Sequence, residues 1–259
     1  NQSDADEVGH HMAMMNTRVA DLVNAFNQSD RDLSDTNIDL SANWHKQLNK
    51  NFGIDITLAR KERAPSYQER FLWMPMEATG GLADGNTYIG NINLDSETAN
   101  QFNLGFDFAD GHFQFFFDLF YQDIENYIQA LPSTNMNANM IADMMMNSDY
   151  VLQFANVDAT LHGVDGQVNY QYNQHWDFGI NINYVKGKRD DIADNLYRVA
   201  PLNSTLFAKY GGNNIDVTFK LIAVNKQSDV STINREKETS GYVTSDIDLT
   251  YRYNNAFKL

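Results

Sequence analysis

The sequence predicts an all-β chain forming part of an antiparallel transmembrane β-barrel. Three observations predict it: strands with one apolar and one polar face, connections that alternate between short and long, and the lack of a helical span. In an outer-membrane barrel, tight turns gather at the periplasmic rim and long loops outside. No window of the 259 residues approaches the roughly 18 uninterrupted apolar residues that a membrane helix needs.

The strands read at period two, about nine of them from Asn37 onward. In Thr36–Trp44, Ile38, Leu40, Ala42 and Trp44 oppose Asn37, Asp39, Ser41 and Asn43. Phe52–Leu58 sets Phe52, Ile54, Ile56 and Leu58 against Gly53, Asp55 and Thr57. Asn100–Phe108 sets Phe102, Leu104, Phe106 and Phe108 against Gln101, Asn103, Gly105 and Asp107, and Phe113–Tyr121 follows suit. Val168 to Tyr172, Phe178 to Tyr184, Leu206 to Tyr210, Ile215 to Leu221 and Val243–Tyr253 continue the alternation.

Short connections fall at His45–Lys50, Ala109–His112, Asn173–His175, Gly211–Asn214 and Asn254–Asn255. Asp110-Gly111 and Gly212-Asn213 are expected to supply the positive-φ residues of tight hairpins. Long connections lie between them, at Lys61–Thr98, Gln122–Asp158, Gly187–Pro201 and Gln227–Tyr242. A soluble β-sandwich also alternates its residues, but has no reason to segregate loop length by end. Residues after Asn255 read as a tenth strand.

Bulk composition narrows the function. The hydrophobic fraction of 42% suits a wall in which every second residue meets water. A net charge of -15 argues against nucleic acid and against an anionic bilayer surface. With no cysteine, disulfides and thiolate metal sites are excluded. No G-x-S-x-G, H-E-x-x-H, P-loop or dinucleotide fingerprint occurs, so an enzyme is not expected.

Arg63–Phe108 reads RAPSYQERFLWMPMEATGGLADGNTYIGNINLDSETANQFNLGFDF. Within it Gly90, Asn91, Leu94, Glu97, Ala99 and Asn100 lead into a strand carrying Leu104 and Gly105. FYQDIENYI (Phe120–Ile128), NVDATLHGVDGQVNYQY (Asn156–Tyr172), YRVAPLN (Tyr197–Asn203) and TSGYVTSDIDLTYRY (Thr239–Tyr253) follow in order. Together these segments resemble the barrel of TonB-dependent outer-membrane receptors, and APSYQERFLW is similar to the copper-receptor branch. The resemblance implies a barrel of about 22 strands plugged by a globular domain. It also implies the bacterial outer membrane, contact with its lipid and lipopolysaccharide, and import of a scarce ligand energised through TonB. Residues 1–259 are then expected to be a C-terminal portion of such a barrel, without the plug, the TonB box or the final strand.

Candidate ligands of a transported metal are methionine and histidine, in two clusters within the expected outer loops. The first holds His10, His11, Met12, Met14 and Met15; the second, Asn135–Asn147, holds Met136, Met140, Met144, Met145 and Met146, with Met136, Met140 and Met144 as its candidate ligands. Thioether with imidazole selects Cu(I) over harder cations, and a spacing of four stacks Met136, Met140 and Met144 if that loop is helical. Methionine is equally the adaptable filler of irregular loops, and an iron-siderophore is as open a cargo as a copper ion. His45, His112 and His175 fall at expected periplasmic turns, where exposure is the ordinary explanation. Trp44, Trp73 and Trp176 suit interfacial girdles, with Trp73 also able to face a ligand or the plug. A passive porin-like channel and a soluble methionine-rich metal-binding module are the other readings of the chain.

Overall fold

A strand with one face in hydrocarbon can satisfy its backbone only through its neighbours. The chain builds one continuous ladder for this purpose. The computed structural model describes residues 2–9, 16–77, 84–146, 148, 150–254 and 257–258. A hairpin of β1 (Gln2–Asp4) and β2 (Asp32–Ser34) brackets α1 (Thr17–Gln28). Then follow β3 (Leu40–Gln47), β4 (Phe52–Arg63), α2 (Tyr67–Phe71), β5 (Met76–Glu77), β6 (Thr87–Ile89) and β7 (Glu97–Ala109). After them come β8 (Phe113–Pro132), α3 (Met136–Met146), β9 (Val151–Gln171) and β10 (Trp176–Arg189). The chain closes with β11 (Asn203–Gly211), β12 (Ile215–Val224), β13 (Tyr242–Asn254) and β14 (Phe257–Lys258).

The main path runs β14-β13-β12-β11-β10-β9-β8-β7-β4-β3, every neighbouring pair antiparallel. Its ten strands agree with the nine to ten expected. β3 and β14 end the path without pairing to each other, so the sheet is open among the described residues.

Register holds the alternation in phase from strand to strand. Ile56 faces Leu104, Leu104 faces Leu119, Leu119 faces Val164, and Val164 faces Tyr184. Further round, Leu206 faces Leu221 and Phe219 faces Ile247. One face is therefore apolar throughout, and its side chains lie open: Leu58, Phe102, Phe178, Phe219 and Ile247 are all exposed. Trp44 and Trp176 sit on that face near the short-turn end, Trp176 stacked on Phe178 at 5.8 Å.

Several elements differ from expectation. β3 is displaced toward the turn, so His45 is a strand residue paired with Asp55 rather than part of a turn. The Asp110-Gly111 turn has Gly111 at φ +97, as expected. The Gly212-Asn213 turn has no positive-φ residue; it spreads the reversal over three residues and closes through the Gly212 N–H on the Ile215 carbonyl at 2.8 Å. Most of the expected loop Gln122–Asp158 is strand, because β8 and β9 continue past the end of their neighbours. A bulge between Ile124 and Tyr127 marks the change, with Asn126 at φ 59. Asparagine tolerates that conformation, and the side chains of Asn156 and Asp158 hold the Asn126 carbonyl and N–H.

The buried core lies beyond this bulge, not in the barrel wall. One cluster joins Val19, Leu22 and Val23 of α1 to Ala138, Ile141 and Ala142 of α3, with Trp73 against it. Trp73 thus packs rather than forming a girdle. The second joins Tyr88, Leu94, Ile128, Ala130, Leu152 and Phe154. Arg70, buried on α2, locks the N-terminal segment to this layer through two bonds to Asp35, at 2.6 and 2.7 Å, and one to the Leu94 carbonyl.

Removing one partner of a buried ion pair strands the other. Asp35→Ala should cost about 3 kcal/mol of local stability. The check is hydrogen exchange over residues 67–72 and 94–96, which should quicken while the barrel ladder stays protected.

Candidate functional site

The long connections converge on one layer at the loop end of the sheet, and the site is built there. Ser66 starts α2 through a capping box: its hydroxyl accepts from the Glu69 N–H, and Glu69 returns a bond to the Ser66 N–H at 2.6 Å. Glu69 also takes Arg63, whose guanidinium is forked onto Glu97 at 2.7 and 2.8 Å. Glu97 accepts in turn from the Ile128 N–H just past the bulge, at 2.6 Å. The bulge inserts one residue, so Tyr127 and Gln129 take the face that Gln122 and Ile124 hold before it.

These elements enclose a cleft of about 500 Å³, lined chiefly by Glu69, Tyr88, Tyr127, Gln129, Tyr197 and Arg198. Gln129 is only 5% exposed. Its Oε1 accepts from the Tyr197 N–H at 2.9 Å, while its Nε2 has no hydrogen-bond partner among the described residues. A buried donor left unmatched costs roughly 1–3 kcal/mol, so it is a group with something to gain from a ligand.

Beside it, Asp84 Oδ2 accepts from the hydroxyls of Tyr88 at 2.6 Å and Tyr197 at 2.8 Å, with Arg198 at 3.7 Å. Burial works against ionising Asp84, but the Tyr88 hydroxyl, the Asn86 backbone N–H and the Tyr197 hydroxyl outweigh it and hold the carboxyl below its ordinary range. Burial and the neighbouring Asp84 push both phenols up. At neutral pH the cluster therefore presents an anionic carboxylate, two neutral phenols and a guanidinium.

The thioethers form a separate feature. Met136, Met140 and Met144 lie on helix α3, 69%, 40% and 55% exposed. Ala138, Ile141 and Ala142 take the inward face of α3 against α1, which turns the three methionines out together. Arg18 of α1 donates from Nε to Met140 Sδ at 3.0 Å. His10, His11, Met12, Met14 and Met15 lie outside the described residues. The sequence reading missed Gln129, Asp84 and the two tyrosines; only the S-x-x-E of the capping box at Ser66 was legible. At the outer end of β10 Lys186 pairs with Asp229 and Arg189 with Asp191.

The family described as TonB dependent receptor-like, beta-barrel matches residues 14–259. The chain belongs to this family. Its apolar sheet face is accordingly the wall of a barrel in the bacterial outer membrane, and members of the family are transporters, not enzymes. Among solved structures it is similar in fold to the copper transporter OprC, with a TM-score of 0.69 at 17% identity over 85% of this chain and 32% of that one. The siderophore receptor PirA from Acinetobacter baumannii gives a TM-score of 0.61 at 18% identity, over 84% of this chain and 35% of PirA. PirA from Pseudomonas aeruginosa gives 0.58 at 16%, over 84% and 36%. The chain thus spans about a third of the length of these receptors.

A carboxyl with a depressed folded pKa contributes its stability in full above the unfolded value and loses it as pH falls through the folded one. The Asp84 cluster should therefore hold at about pH 6 and open below about pH 4. Hydrogen exchange over residues 86–89 and 196–198 should speed up across that window, and Asp84→Asn should abolish the step.

Proposed function

We propose that this chain is part of an outer-membrane receptor that captures a metal ion or metal chelate at its loop end and imports it with energy supplied through TonB. Family membership over residues 14–259 carries the reading, and it favours a gated receptor over a passive channel or a soluble module. In this reading the rest of the receptor supplies the plug and the strands that close the open ladder, since unpaired strand edges are not tolerated in hydrocarbon.

Two cargoes have support from different observations. The exposed row Met136, Met140 and Met144 favours a copper ion, with His10, His11, Met12, Met14 and Met15 as further donors. The cleft beside Gln129 favours a chelate such as an iron-siderophore, because about 500 Å³ fits a small organic ligand and leaves a bare ion unfilled. The apolar wall meets outer-membrane lipid, and the loop layer meets lipopolysaccharide.

The two cargoes separate in one experiment on cells expressing the whole receptor, with and without TonB. If copper is the cargo, replacing Met136, Met140 and Met144 by leucine, together with Met12, Met14 and Met15, lowers cell-associated copper about tenfold by elemental analysis, to the level seen without TonB. If a chelate is the cargo, copper is unchanged and Gln129→Leu instead reduces uptake of iron given as siderophore. Uptake of both that is indifferent to TonB would overturn the receptor reading itself.

A further inference from the structure

The polar face of the sheet carries a second group of metal-ligating side chains, far from the loop layer. His45 on β3 pairs in register with Asp55 on β4, and its Nδ1 lies 3.0 Å from Asp55 Oδ1. On the next strand, β7, Asp107 stands in register with Gly53 of β4. Each of the three side chains offers a donor atom, and these atoms lie within 4.8 Å of one another. All three sit within a few residues of the short turns, at the opposite end of the strands from the cleft at Gln129.

The glycine is what allows the three to meet. A Cβ at residue 53 would lie 2.3 Å from Asp107 Oδ1, so the carboxylate of Asp107 rests over bare backbone and leans toward β3. Any side chain at that position would displace it. Among the described residues, no lysine or arginine pairs with Asp55 or Asp107. Elsewhere on the same face two acids have cationic partners, Asp248 with Lys220 at 3.0 Å and Asp216 with Arg252, while Asp118 and Asp165 are held by the amides of Asn103 and Asn183. Two carboxylates brought together over a glycine, with an imidazole as third donor, form an anionic pocket with room for a positive charge.

We propose that His45, Asp55 and Asp107 bind a divalent first-row cation of the Mn²⁺-to-Zn²⁺ type, with Gly53 as the positioning residue. Donors each about 2.1 Å from one ion stand roughly 3.0–3.4 Å apart, which the His45–Asp55 separation already meets. One imidazole with two carboxylates suits this class, whereas Ca²⁺ and Mg²⁺ take all-oxygen sites and Cu(I) takes thioethers. The ion ties three strands together at the turn end and neutralises the acids there. It is a resident of the barrel wall and not the cargo.

Mn²⁺ is the probe, because thioethers do not hold it. The whole receptor, purified in detergent and stripped with chelator, is titrated with Mn²⁺ while the EPR signal of free Mn²⁺ is followed. One ion per chain should bind. Asp107→Asn and Gly53→Ala should each weaken binding about tenfold or more, the second without altering any ligand or charge. Asp248→Asn, on the same face, should leave affinity unchanged. The wild-type protein should also show imidazole nitrogen coupling to bound Mn²⁺ by electron spin-echo modulation, a signal that requires no variant to fold. Absence of bound Mn²⁺, bound Mn²⁺ without nitrogen coupling, or equal losses in Gly53→Ala and Asp248→Asn would each overturn the site.

Discussion

Phase is the constraint on which the molecule depends. Each strand puts alternate residues on an apolar and on a polar face, and a slip of one residue would exchange the two. From β3 round to β13 the pairings keep apolar opposite apolar, so the sum is a single band of aliphatic and aromatic side chains. Backbone pairing does the same work for the peptide groups. With both satisfied in this way, the wall needs no buried core, and the buried residues gather elsewhere.

The break in phase that separates wall from loop layer is the bulge at Asn126. Below it β8 is barrel wall; above it the strand serves the loop layer. The extra residue carries Tyr127 and Gln129 across to the polar side, and the Arg63–Glu97–Glu69 network fixes the site of the change. The segment that resembles the receptor family acquires a physical meaning here. Leu94 is buried in the layer's core, the Gly90 and Asn91 backbone groups bond to the end of α2, and Glu97 clamps Arg63 while accepting from β8. These residues brace the platform on which the cleft stands.

The charge excess also divides by location. In the loop layer three acids are matched: Asp35 by Arg70, Asp84 by two phenols and a guanidinium, and Asp194 by Ser231 and Thr232. On the polar sheet face near the turns, Asp55 and Asp107 have only a histidine between them.

Strand number, the apolar and polar faces, and the sorting of short turns from long loops were all determined by the sequence, because a period of two and a turn residue are local properties. The expectation of stacked thioethers at Met136, Met140 and Met144 needed only the spacing and a helix. What the sequence alone could not place was anything that depends on which strands are neighbours. Gln129 reads as one more polar loop residue until β8 extends through it, the bulge turns it inward and Tyr197, 68 residues away, occupies half its amide. His45 reads as a turn histidine until register sets it against Asp55, and Asp107 joins it only because residue 53, on the strand between, has no side chain. Alternation along the chain decides which way a side chain points; only pairing between strands decides what it meets.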